Sequence, residues 1–100
     1  MPAYIVFIRE EPVKDQDAIQ AYSAANRANA MAFVEQFKLK PLAVYGACDT
    51  LEGSAADGVV LLEFPTIEDA RSWYDSPAYQ AAIPDRHKAA HYRAIMFEGL

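Results

Sequence analysis

The chain has 100 residues, of which 53% are hydrophobic, and a formal net charge of −5. That charge leaves no basic footprint for nucleic acid, and no apolar run reaches the length of a membrane-spanning helix. A chain this short buries only about 60–70% of its unfolded surface, so its apolar content exceeds what one small monomer hides. One folded domain over residues 1–100 is expected, with no secretory leader pattern at its start. The lone Cys48 excludes an internal disulfide and fits a reducing, cytoplasmic setting. Its neighbours Tyr45 to Ala47 favour a buried or half-buried structural thiol.

Ala3 to Arg9 reads as a first strand, apolar at both parities, with Tyr4, Val6 and Ile8 against Ala3, Ile5 and Phe7. Glu10 to Lys14 is a charged turn holding Pro12. A helix then runs from about Asp15 to Phe37, with Ile19, Tyr22, Asn26, Ala30, Phe33 and Phe37 on one stripe. Asn26 is polar on that stripe and needs a partner if buried. Lys40 to Cys48 is a second strand with Pro41 near its start. Asp49 to Gly58 is a polar loop, so strands two and three form a hairpin with a long connection.

Gly58 to Phe64 is the central strand. Val59, Leu61 and Glu63 face one way; Val60, Leu62 and Phe64 face the other. Two largely apolar faces both require cover. Pro65 cannot donate to a ladder and ends the strand. Thr66 caps a helix whose first turn holds Glu68 and Asp69, where negative charge suits the dipole. Ile67, Ala70, Trp73 and Tyr74 form its apolar face. Ser76-Pro77 restarts the helix with a bend. Ile83-Pro84-Asp85 breaks the pattern, and a short helical piece from Arg86 to His91 precedes a last strand, Tyr92 to Glu98.

Strand–helix–strand twice, with a hairpin joining the middle strands, is the split β-α-β, ferredoxin-like arrangement of the α+β class. Its helices cover one face of a four-stranded antiparallel sheet. Nothing in the chain is left to cover the other face. A homodimer that packs sheet on sheet, an α+β barrel, follows as the expectation.

Several stretches also carry a likeness: Met1 to Tyr4, Leu51-Glu52-Gly53, the continuous run from Glu63 to Ala82, Arg86, and Tyr92 to Gly99. With them the chain resembles a bacterial family of unknown function, numbered 1330, in the dimeric α+β barrel superfamily. The W-Y-x-S-P-x-Y string of Trp73 to Tyr79 is specific. Such proteins often carry a Gly pair before strand two, where this chain has Lys38-Leu39-Lys40. The resemblance implies fold and dimer, and no activity. The wider superfamily includes cofactor-free monooxygenases and muconolactone isomerases.

His87 and His91 are spaced i, i+4 with Asp85 nearby. Zinc needs a further ligand and ordered outer partners, so no metal is expected. His91 reads better as an acid–base or hydrogen-bonding group. Glu63, on an otherwise apolar face, requires a partner such as Arg93 or an arginine across the dimer, or its pKa rises. Arg86 anchors either a carboxylate ligand or the loop that holds Glu52. Core packing explains Trp73, Tyr74 and Tyr79, although such side chains carry polar tips that pockets use.

Both helical regions lie on one sheet face, so their inward stripes converge. A pocket there is expected to be lined by Tyr22, Asn26, Trp73 and Tyr79, with Arg86 and His91 closing its polar end. Such a site suits a small planar ligand and needs no cofactor. The function this implies is a cytoplasmic homodimer with a small-molecule pocket, a cofactor-independent isomerase or oxygenase on an aromatic or acidic metabolite. The alternative is a non-catalytic ligand-binding or stress-related module. Polar groups converging in a pocket favour the first; a gap filled by Trp73, Tyr22 and Phe33 favours the second.

Overall fold

Each helix begins where the sequence supplies a cap. In the structure, a computed structural model that describes residues 1–100, the Asp15 carboxylate accepts from the Ala18 amide at 3.0 Å and starts α1 (Gln16–Phe37). The Thr66 hydroxyl accepts from the Asp69 amide at 3.1 Å and starts α2 (Ile67–Tyr74). The Ser76 hydroxyl accepts from the Tyr79 amide at 3.3 Å and starts α3 (Pro77–Ala89). Each such cap stabilises its helix by about 1 kcal/mol. The extended backbone of Ser76, φ −61 and ψ 143, cuts the second helical region into two helices where only a bend was expected.

The strands are β1 (Ala3–Arg9), β2 (Lys40–Val44), β3 (Gly58–Phe64) and β4 (Tyr92–Glu98), paired antiparallel in the order β2-β3-β1-β4. β1 is central: Ile5 faces Leu62 on one side and Met96 on the other. This is the α+β, ferredoxin-like sheet that the order of elements predicts.

Two further elements depart from expectation. β2 ends at Val44, not Cys48, because Tyr45 turns into the left-handed region at φ 53. Cys48 is therefore exposed in the connection, not buried among its apolar neighbours. In addition, α3 runs unbroken through Pro84 to Ala89. The amide that Pro84 lacks would have reached the Gln80 carbonyl. Both residues are exposed, so the bond is lost where water has access, while Ile83 and Arg86 are buried and hold the helix down.

The core forms where the helices meet the inward parity of the sheet. Ile5, Phe7, Leu62 and Phe64 pack against Phe33, Phe37, Trp73 and Tyr79. Trp73 is its hub, with its ring centroid 4.1 Å from that of Tyr79 and its plane edge-on to Phe33 at 5.8 Å. Burying each phenylalanine contributes about 1.5–3 kcal/mol.

The outward parity has no such cover. Val6 lies between Leu61 and Ile95, and Ile95 and Phe97 remain 44% and 42% exposed. Glu63 on this face does not meet Arg93, which stands at the other end of the sheet and pairs with Glu10. No helix is long and apolar enough to cross a membrane.

Candidate functional site

The inward stripe of α1 changes character along its length. Phe33 and Phe37 fill the space above the sheet near the helix C-terminus. Toward the N-terminus the same stripe offers Ala30, Asn26 and Ser23, which are too short to do so. The result is a cavity of about 390 Å³ between α1 and the sheet. Phe7, Val60 and Leu62 line it from the sheet, Phe33 and Ala30 from α1, and Leu39, Pro41 and Val44 from the approach to and along β2.

Polar groups gather in three places. The Tyr22 hydroxyl, from α1, meets the Tyr79 hydroxyl, from α3, at 2.8 Å. The Tyr45 and Tyr92 hydroxyls meet at 2.8 Å, above Arg9, whose guanidinium lies 4.5 Å from the Tyr45 ring centroid. Arg9 is fixed in turn by Asp57 at 2.7 Å. Arg86, only 2% exposed, sits 5.2 Å from the ring centroids of both Phe7 and Tyr92.

Burial keeps three of these phenols protonated, those of Tyr22, Tyr79 and Tyr45. Burial pushes Tyr22 above the ordinary tyrosine range, against the hydrogen bonds of Tyr79 and Asn26. Burial and the adjacent Tyr22 push Tyr79 up further, and nearby Arg86 only partly opposes this. Burial and the Tyr92 hydroxyl raise Tyr45 as well. For Arg9, burial works against the charge, but Tyr92 and Asp57 outweigh it and hold the guanidinium above its usual value.

Of the six residues expected at the pocket, Tyr22, Asn26, Trp73 and Arg86 line the cavity. Tyr79 lies beneath it, fully buried, and reaches it through Tyr22. His91 is not there. It is exposed, its amide donates to Glu11 at 3.2 Å, and its carbonyl accepts from the Glu10 amide at 2.8 Å. Tyr92 takes the inward position at the start of β4, and extended backbone sends the preceding side chain to the other side.

Tyr92 and Tyr45 are the residues that sequence reasoning missed. Tyr92 was legible, since it shares parity with Ala94 and Met96. Tyr45 was not, because nothing in its neighbourhood announces the left-handed turn.

No three His, Cys, Asp or Glu side chains gather into a metal-binding group. None of the residues lining the cavity is His, Cys, Asp, Glu or Lys. Its chemistry is therefore that of apolar contact, hydroxyl and amide hydrogen bonds, and arginine charge.

The fold has counterparts among solved structures. A protein of unknown function from Rhodopseudomonas palustris is 21% identical, with 99% of this chain and 82% of that chain covered and a TM-score of 0.67. A dimeric ferredoxin-like protein of unknown function from Jannaschia sp. CCS1 is 13% identical, with 99% of this chain and 100% of that chain covered and a TM-score of 0.71. Hydroxynitrile lyase from Passiflora edulis is 14% identical, with 96% and 90% covered and a TM-score of 0.61. At these identities the likeness shows the fold alone. No curated protein matches the chain. The family described as domain of unknown function, DUF1330, matches residues 2–100, and the chain belongs to it.

Proposed function

We propose that this protein is a homodimer in which each chain binds a small, largely apolar molecule between α1 and the sheet. The open cavity carries this reading. Its volume of about 390 Å³ falls within the range of about 300–1,000 Å³ usual for ligand pockets. Trp73 and Phe33 are packed into the core and Tyr22 is drawn across to Tyr79, yet the gap is not filled. The homodimer is supported by the uncovered apolar sheet face and by the Jannaschia neighbour, which is described as dimeric.

An isomerase or an oxygenase would need a group that moves a proton near neutral pH. The lining supplies no His, Cys, Asp, Glu or Lys, and Tyr22 and Tyr45 are held protonated. Binding without chemistry has the stronger support from the residues of this chain.

The test is a ligand-detected NMR screen of small aromatic fragments against the wild type, Ala30→Trp and His91→Ala. Ala30 lines the cavity from an exposed position on α1, so tryptophan there fills the gap without disturbing the core. Binding is expected to disappear in Ala30→Trp and to persist in His91→Ala. Fragments that bind Ala30→Trp as well as the wild type, or no binding to the wild type, would overturn the reading.

A further inference from the structure

Resting on that reading of the cavity, we propose that its ligand is an anion: a small carboxylic acid with an apolar or aromatic body, its carboxylate held by Arg86. The first observation is the charge of the lining. Acidic residues outnumber basic ones 14 to 9 in the chain, yet the cavity is lined by two arginines, Arg27 and Arg86, and by no acid. The lining of this cavity therefore reverses the overall sign of the chain.

The second observation is the state of Arg86. Arginine is almost never fully buried without a partner, and an uncompensated buried charge is costly. Arg86 is 2% exposed, its Nε has no hydrogen-bond partner, and none of the ion pairs of the chain includes it. Glu52, its other candidate partner, is exposed in the β2–β3 connection. The rings of Phe7 and Tyr92 offset part of the cost through cation–π contact. Tyr79 interacts with the guanidinium as well, but a neutral phenol leaves the charge uncompensated, and the planar fork matches a carboxylate.

Trp73 Nε1 is the other buried side-chain atom without a partner, and Trp73 also lines the cavity. Both orphans are donors, so what each lacks is an acceptor. A second copy packed on the outward sheet face cannot supply it, because the cavity lies on the helix side of the sheet. The rest of the lining is mostly apolar, which suits one charged end on an apolar body rather than a polyanion.

The experiment uses matched pairs: benzoate, phenylacetate and 3-phenylpropionate, each against its primary amide, titrated into the wild-type protein by calorimetry and thermal shift. Acids are expected to bind at least about tenfold more tightly than their amides, and only the acids should raise the melting temperature. Arg86→Met keeps the volume and removes the charge. It should weaken the acids by at least about thirtyfold, leave the amides within about threefold, and match or exceed the wild-type melting temperature without ligand. Arg86→Lys, which keeps the charge but not the fork, should recover part of the loss and serves if Arg86→Met does not fold.

Amides that bind as tightly as acids would overturn the anion and leave the pocket standing. So would an Arg86→Met variant that weakens both members of each pair equally, since that is the mark of a structural role. Acids that fail while neutral fragments of the screen bind would do the same. Failure of every acid, amide and fragment would remove the pocket reading itself.

Discussion

The hydroxyls of Tyr45 and Tyr92 meet at 2.8 Å although one residue follows β2 and the other begins β4, the two edges of the sheet. One row of residues makes this reach feasible. The Tyr45 amide donates to the Val59 carbonyl at 2.9 Å, Gly58 stands opposite Arg9, and Arg9 stands opposite Tyr92. The Tyr45 ring lies over Gly58 so closely that its Cδ1 is 2.7 Å from where a Cβ would be. Gly58 is therefore required for its missing side chain, which lets a phenol span the sheet and close one end of the cavity.

Gly58→Ala should consequently push the Tyr45 ring outward and part the two hydroxyls. Overpacking and a lost hydrogen bond together are expected to cost about 1–2 kcal/mol, read from the denaturant midpoint. The Tyr45 ring is 38% exposed and has room to swing away, so the fold should survive. Unchanged stability together with an intact Tyr45–Tyr92 contact in the variant's crystal structure would refute the packing argument.

Alkaline pH offers a second check. Tyr22, Tyr45 and Tyr79, three of the six tyrosines, have raised pKa values in the folded chain. Above about pH 10 the unfolded chain loses those protons while the folded chain keeps them. The associated stability is complete below that pH and is lost as pH rises. Tyr79, fully buried, accounts for about 1.4 kcal/mol per pH unit in that window. In an ultraviolet titration these three phenols should ionise only as the protein unfolds, and Tyr79→Phe should flatten the alkaline slope of stability. Six tyrosines that ionise together near the ordinary value would count against the buried hydroxyl pairs.

What was legible in the sequence followed from periodicity and caps. Both parities of Ala3 to Arg9 and Gly58 to Phe64 are apolar, and that alone gave the sheet two faces to cover. Thr66 and Ser76 marked helix starts because each has a side-chain oxygen for a free amide, and Asp15, where periodicity began the first helix, caps it in the same way. The tertiary balance was not local and so was not legible. Pro84 weakens a helix wherever it stands, but the burial of Ile83 and Arg86 outweighs the lost bond. The site was half legible: Tyr22, Asn26, Trp73 and Arg86 share inward positions readable from spacing. The exchange of His91 for Tyr92 turned on where helix gives way to strand, and a shift of one residue there reverses every side chain.

Lys38 supplies a third prediction. It closes α1 in the left-handed region, φ 60 and ψ 30, its amide donating to the Val34 carbonyl at 3.0 Å. A side chain costs about 1–2 kcal/mol in that conformation, where glycine is the favoured residue. Part of the gain from glycine is returned through its freer unfolded chain. The exposed bond from Lys38 Nζ to the Glu35 carbonyl, 3.1 Å, adds little. Lys38→Gly should stabilise the protein by about 0.5–1 kcal/mol, a rise of a few degrees in melting temperature. A lower melting temperature would show that the strain at Lys38 is smaller than its backbone angles imply.

The last prediction concerns the outward sheet face. Val6, Leu61 and Ile95 form a row across β1, β3 and β4, and Tyr4 and Phe97 lie beside it with their ring centroids 5.5 Å apart. A contiguous apolar face of this kind marks an association surface. Ile95 is 44% exposed in the single chain, so Ile95→Glu changes little in a monomer. In a two-fold interface it buries two unpaired carboxylates near one another, a penalty of several kcal/mol. Light scattering after size exclusion should give a dimer for the wild type at micromolar concentration and a monomer for Ile95→Glu, with the circular dichroism spectrum unchanged. The cavity lies on the helix side of the sheet, so the monomeric variant should still bind the ligands that the wild type binds. A monomeric wild type, or a variant that remains dimeric, would exclude this face as the interface. Binding lost with the dimer, while the fold is intact, would mean instead that the second copy completes the site.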